Sequence, residues 1–237
     1  MPKCLICQDR GLILNEKGEY EKCQCLSKKD LSLKQEKSFI PPLYRNMTFA
    51  DFDLSYYSKY HIDRERNISY YESAQRALKA AINFVKLLTT NQPVKGLYFS
   101  GPVGSGKTLL AAIIANEALK AGKDVLFVVV PEYLEKIKQS FGDENDGYLI
   151  EKALSTELLI LDDLGAHNYT EWTKNTLYLI INHRLYYQLP VVITTNISLE
   201  DLENYLGERT TSRIFELCHH YWLPVDLDIR LRKTGGM

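Results

Sequence analysis

The sequence predicts an α/β protein, a parallel sheet with helices on both faces, preceded by a small separate module. Three observations carry this. Apolar runs of strand length alternate with segments of helical periodicity from residue 70 onward. One strand-to-helix junction holds Gly101-Pro102-Val103-Gly104-Ser105-Gly106-Lys107-Thr108. Four of the five cysteines, Cys4, Cys7, Cys23 and Cys25, fall in the first 25 residues, with Cys218 far away.

The elements follow in order. Residues 1–38 lack long apolar periodicity and hold the cysteines, two turn glycines and a lysine-rich stretch. Within that stretch, 28–37 reads as a solvated helix or linker, and Pro41-Pro42 stops any helix. The boundary is placed near residue 39, giving a module over 1–38 and a main domain over 39–237. Ala74, Ala77, Leu78, Ala81, Ile82 and Val85 recur at helical spacing over 70–88. A strand is expected over 96–100, a helix over 106–120, a strand over 125–130, and helices over 133–139 and near Leu149. Leu158 to Leu161 makes a strand, 171–187 an amphipathic helix, and 191–195 a strand. Ser198 with Asp201 resembles a capping box opening a further helix. Alternation of this kind implies parallel strands buried on both faces.

Composition narrows the function classes. The 237 residues are 45% hydrophobic and 25% charged, ordinary globular usage. A net charge of −1 excludes a globally basic DNA-coating protein while allowing local basic surfaces. No run approaches the length that spans a bilayer and no signal peptide opens the chain, so no membrane partner is expected and the cytoplasm is the expected location.

The segment from Gly101 to Thr108 matches G-x-x-x-x-G-K-[ST] in its proper context. Glycines let the backbone curl so that successive N–H groups face phosphate oxygens, and a helix N-terminus adds a favourable dipole. Lys107 is expected on the β- and γ-phosphates of ATP, and the Thr108 hydroxyl on Mg²⁺. Leu158-Leu159-Ile160-Leu161-Asp162-Asp163 is an apolar strand ending in two adjacent carboxylates, which repel unless a cation or a reacting water uses them. Asp162 is assigned to the Mg²⁺ shell and Asp163 to the attacking water. Asn196, after Val191-Val192-Ile193-Thr194-Thr195, either bonds the γ-phosphate or serves the turn before Ser198.

Nearly the whole chain resembles the DnaC/DnaI family of AAA+ helicase loaders, particularly the phage-type forms. The resemblance rests on segments that follow in order: 44–49 (Tyr-Arg-Asn-Met-Thr-Phe), 99–108, Asp162-Asp163-Leu164-Gly165, Ile181-Asn182-His183-Arg184, 190–196, and 206–213 ending Glu208-Arg209-Thr210-Thr211-Ser212-Arg213. It implies that the Asn196 strand lies between the phosphate-loop and acidic strands, making Asn196 sensor 1. It implies that Arg213 acts in trans as an arginine finger, so that the chain self-associates; from the residues alone Arg213 is more often a surface ion-pair partner. Arg230 is similar to the family's sensor 2 arginine. With seven residues after it, no C-terminal lid domain is expected. The segment 44–49 resembles the strip packed near adenine.

Cys4-x-x-Cys7, fifteen residues, then Cys23-x-Cys25 supplies four thiolates, the ligand number of a closed structural zinc site. Paired disulfides are the alternative, disfavoured by a reducing cytoplasm. A segment this small lacks the apolar surface to hold a fold, and Zn²⁺ supplies what is missing. Cys218 reads as core. In similar loaders the cysteine module looks like the helicase-binding part. The expected function is therefore ATP-dependent loading of a hexameric DnaB-type replicative helicase onto single-stranded DNA. An IstB-like transposition ATPase and a non-hydrolysing ATP-switched adaptor are the competing readings.

Overall fold

The computed structural model describes residues 4–14, 18–140, 147–165 and 169–233. The chain opens with a hairpin of β1 (Leu12–Leu14) and β2 (Tyr20–Lys22), Leu12 opposite Lys22. Cys23 is the N-cap of α1 (Gln24–Lys37). The last turn of this helix meets the main domain through Gln35, which is buried, and through the C-cap Ser38. Gln35 donates to the Asn116 side-chain oxygen at 3.0 Å, and the Ser38 carbonyl accepts the Phe127 N–H at 2.8 Å.

Three short 3₁₀ turns and a second hairpin, β3 (Ile62–Asp63) with β4 (Ile68–Ser69), lead to α2 (Tyr70–Thr89). Ser69 caps that helix by accepting the Glu72 N–H. Its buried face is Ala74, Ala77, Ala81, Phe84 and Leu88, the spacing of one helical stripe. The core then alternates: β5 (Gly96–Ser100), α3 (Lys107–Lys120), β6 (Val125–Val129), α4 (Val130–Gln139), α5 (Tyr148–Ser155), β7 (Leu158–Asp162), α6 (Glu171–Tyr186), β8 (Val191–Thr195), α7 (Leu199–Leu206), α8 (Glu208–Leu217), β9 (Cys218–Trp222) and α9 (Ile229–Lys233).

Among the described residues, five parallel strands form the main sheet in the order β6-β7-β8-β5-β9. Side chains alternate between two cores, as the period of two in a strand requires. Leu97, Phe99, Val125, Phe127, Leu158, Ile160 and Val192 meet α2 and α3 on one face. Tyr98, Leu126, Val128, Leu159, Leu161, Val191 and Ile193 meet α4 to α8 on the other. Each such side chain contributes about 1.5–3 kcal/mol of burial, which explains why these strands carry no polar face. The expected helices and strands are present with ends within a few residues. The edge strand β9 was not expected, because Cys-His-His-Tyr-Trp is neither a continuous apolar run nor an alternating one.

Arg184, in the Ile-Asn-His-Arg segment of α6, is fully buried. It donates to the carbonyls of Ala153 and Pro190, each at 2.9 Å. The guanidinium thus satisfies the C-terminal carbonyl of α5 and fastens it to the entry of β8.

Candidate functional site

Parallel strands with helical crossovers bring all their C-terminal ends to one edge of the sheet, where ligands bind in open α/β folds. β5 delivers the loop from Gly101 to Gly106 there. Gly106, with φ +86, is the N-cap of α3 and supplies no side-chain cap, so the first-turn N–H groups of a 14-residue helix face the loop without a protein side chain on them. Lys107 is buried, and its ammonium donates to the carbonyls of Gly101 at 2.9 Å and Pro102 at 2.8 Å, and to Ser105 Oγ at 3.3 Å. Burial pulls this amine down to about 8, against the opposing pull of Asp163 and Asp162. Neutral carbonyls are weaker partners for a buried cation than phosphate oxygens are. An uncapped helix start, a buried lysine and two carboxylates together fit a Mg²⁺-bound triphosphate.

β7 ends at Asp162, which is buried; burial raises its carboxyl to about 6, opposed by hydrogen bonds from Thr194 and Thr108. Thr194 Oγ1 lies 2.6 Å from Asp162 Oδ1 and accepts the Asp163 N–H at 3.0 Å. Asp163 has φ +56, in the left-handed region that few side-chain-bearing residues adopt. Because β8 lies between β5 and β7, the exposed Asn196, one residue past β8, stands between the phosphate loop and the acid pair. Arg230 arrives on α9, whose Ile229 N–H donates to the Gly104 carbonyl at 3.1 Å.

Arg213 is not brought to this edge. It lies on α8, before β9, and forms an ion pair with Glu216 at 3.1 Å. It lines a cavity of about 860 Å³ with Pro93, Lys95, Gln188 and Pro190, residues that precede β5 and β8. That is the opposite edge of the sheet from Lys107, so Arg213 has no access to the nucleotide site of its own chain.

Three contributors carry no local sequence signature. Thr194 looks like one more strand residue until its bonds to both acids are seen. The Tyr57 hydroxyl, buried, donates to the Ser105 carbonyl at 2.7 Å and braces the loop from outside. Asn116, on α3, donates to the carbonyls of Tyr44 at 2.7 Å and Met47 at 3.0 Å, holding the 44–49 strip on the helix that starts at Lys107. Burial raises the Tyr44 phenol, with Asp162 and Asp163 adding to the rise and Arg230 opposing it.

The four N-terminal cysteines gather with their sulfurs all within 4.8 Å of one another. Cys4 Sγ is 3.8 Å from Cys23 Sγ and Cys7 Sγ is 3.4 Å from Cys25 Sγ. A tetrahedral ion with metal–sulfur bonds of about 2.3 Å sets sulfurs roughly 3.8 Å apart. All are free thiols. The Gly11 N–H donates to Cys7 Sγ at 3.3 Å, an outer-shell bond that favours a thiolate. These residues fit a metal ion. Cys218 is buried far from them in β9, and burial pushes its thiol up. No helix among the described residues is long and apolar enough to cross a membrane.

The family model for IstB-like ATP binding proteins matches residues 61–226. The replicative helicase loader DnaC of Escherichia coli K12 is 27% identical over 217 residues, 89% of this chain and 81% of that protein. The replicative helicase loader DnaI of Bacillus subtilis 168 is 30% identical over 155 residues, 62% of this chain; the match spans half of that longer protein. The crystal structure of DnaI superposes with a TM-score of 0.63 at 28% identity, over 78% of this chain and 94% of that one.

Proposed function

The chain belongs to the IstB-like ATP binding protein family, and from that premise we propose that it is an ATPase that loads a hexameric DnaB-type replicative helicase onto single-stranded DNA. The observation that carries the reading is the pairing, in one chain, of the Lys107–Asp162–Asp163 edge with a four-cysteine cluster whose helix is seated on the nucleotide-binding domain. Similarity to proteins named replicative helicase loaders points the same way.

In this reading the loop from Gly101 to Gly106 and Lys107 bind the triphosphate, while Thr108 and Asp162 hold Mg²⁺. The metal neutralises charge on the phosphates. Asp163 orients the attacking water, Asn196 bonds the γ-phosphate, and Arg230 reaches the phosphates from α9. Arg213 serves the neighbouring subunit's ATP, consistent with its place at the far edge of its own sheet. Cys4, Cys7, Cys23 and Cys25 hold zinc and shape residues 1–38 into the helicase-binding module, and the ATPase domain over 39–237 engages DNA.

An IstB-like transposition ATPase shares the family core; the cysteine cluster favours the loader. The discriminating experiment is a pull-down of a purified DnaB-type helicase by the full chain, by Lys107→Ala and by Cys4→Ser/Cys23→Ser. Capture is expected to survive loss of Lys107 and to fail in the cysteine variant. Capture independent of the cysteines would remove the module from helicase binding.

A further inference from the structure

Position 104 is the middle glycine of the phosphate loop, with φ +72, and the segment entering α9 lies directly on it. A Cβ at Gly104 would fall 2.0 Å from both Cγ and Oδ1 of Asp228, so the carboxylate rests against the bare Cα of the loop. The next residue fastens the contact through the bond from the Ile229 N–H to the Gly104 carbonyl. One residue further, Arg230 folds back onto the same acid: Nε to Oδ1 at 3.1 Å, Nη2 to Oδ2 at 3.0 Å, and the backbone N–H to Oδ1 at 2.8 Å. The Asp228 side chain is 23% exposed and that of Arg230 66%.

This places a negative charge on a loop whose backbone and lysine suit anions. Lys107 feels Asp228 as well as Asp162 and Asp163. The pair is bidentate, the strongest geometry open to a guanidinium and a carboxylate. Yet it stands partly in water, where such pairs are worth little, so a ligand with several negative charges at close range outcompetes it. Asp228 also caps the five-residue α9, and its own carbonyl accepts the N–H groups of Leu231 and Arg232. The cap and the charge are separable: Asn and Ser cap equally well and carry no charge.

We propose that Asp228 is a positioning residue that tunes nucleotide affinity: it holds the Arg230 guanidinium beside Gly104 and yields it to the phosphates when a nucleoside triphosphate enters. The proposal rests on the reading of the loop as a triphosphate site. It makes the acid a brake on binding, since both its own charge and its grip on Arg230 oppose the incoming phosphates.

The test is ATP·Mg²⁺ affinity, by calorimetry on the full chain, for wild type, Asp228→Asn, Asp228→Ser, Arg230→Gln and the double variant Asp228→Asn/Arg230→Gln. Both Asp228 variants are expected to bind ATP about three- to tenfold more tightly than wild type. The gain should shrink in the Arg230→Gln background and should shrink as salt is raised, because it is electrostatic. A purely structural role would move thermal stability and leave these affinity differences absent. Wild-type binding with unchanged or weaker affinity in both Asp228 variants overturns the proposal while leaving the nucleotide site intact. Absence of ATP binding by the folded wild type instead overturns the nucleotide site, and this proposal with it.

Discussion

Thr194 hydrogen-bonds Asp162 at 2.6 Å with its hydroxyl, and the same oxygen accepts the N–H of Asp163 at 3.0 Å. One buried side chain on β8 therefore orients both carboxylates at the end of β7. It also lowers the Asp162 carboxyl, which burial has raised to about 6. Between about 6 and the ordinary value of 3.8 the folded chain binds a proton on Asp162 that the unfolded chain does not. Asp162 thus adds stability at low pH and loses that contribution as pH rises through about 6.

Mg²⁺ needs the ionised carboxylate, so metal-dependent ATP affinity has the opposite dependence and falls as pH drops through about 6. Thr194→Val removes a donor that favours the carboxylate, so the midpoint should move upward. Stability should drop by about 1 kcal/mol. Calorimetric ATP titrations with and without Mg²⁺ across roughly pH 5 to 8 check this; an unmoved midpoint would separate Thr194 from the metal site.

The cysteine cluster makes a stoichiometric prediction. Elemental analysis of the purified chain should find about one zinc per chain, reduced to background in Cys4→Ser/Cys23→Ser. Because structural zinc contributes folding free energy, residues 4–37 of that variant should become protease-sensitive. Nucleotide affinity should remain, since Lys107 and Asp162 are held by the main sheet. Full protection without metal would show that the module folds on packing alone.

Placement of Arg213 at the sheet edge opposite Lys107 requires that any catalytic contribution come from a second copy. Arg213→Ala and Asp163→Asn should each abolish assembly-stimulated ATP turnover, each by roughly 10³-fold if the arginine acts as a finger. Mixing the two proteins should restore a fraction of it, because mixed interfaces pair an intact Asp163 with an intact Arg213. Failure to restore turnover in assembled mixtures would return Arg213 to the surface ion pair it forms with Glu216.

The phosphate loop and four of the five strands of the main sheet are legible in sequence because local rules and the global fold agree there. Gly106 must cap a helix with positive φ, and β5, β6, β7 and β8 are buried on both faces, so each reads as an apolar run. Sheet order is not written in any local run, and the place of Asn196 came from resemblance. β9 is not legible because it buries less than the other edge strand, β6, and carries His219, His220 and Tyr221 in place of aliphatic residues. Arg184 lies in a family-like segment with no stated role; its bond to Ala153, distant in sequence, together with its local bond to Pro190, explains it as a fastening of α5 to β8. Asp228 escaped for a related reason, since its contact with Gly104 joins residues more than a hundred positions apart.

In the proposed function, nucleotide at Lys107 is coupled to placement of a helicase on DNA. The most direct measurement is unwinding by a purified DnaB-type hexamer on circular single-stranded DNA that carries an annealed strand and is coated with single-strand-binding protein. Wild-type chain with ATP should start unwinding that the helicase alone does not, while Lys107→Ala, its phosphate affinity weakened by roughly 10- to 100-fold, should bind the helicase and fail to start it. Equal unwinding with wild type, Lys107→Ala and no added chain would show that nucleotide at Lys107 plays no part in helicase loading.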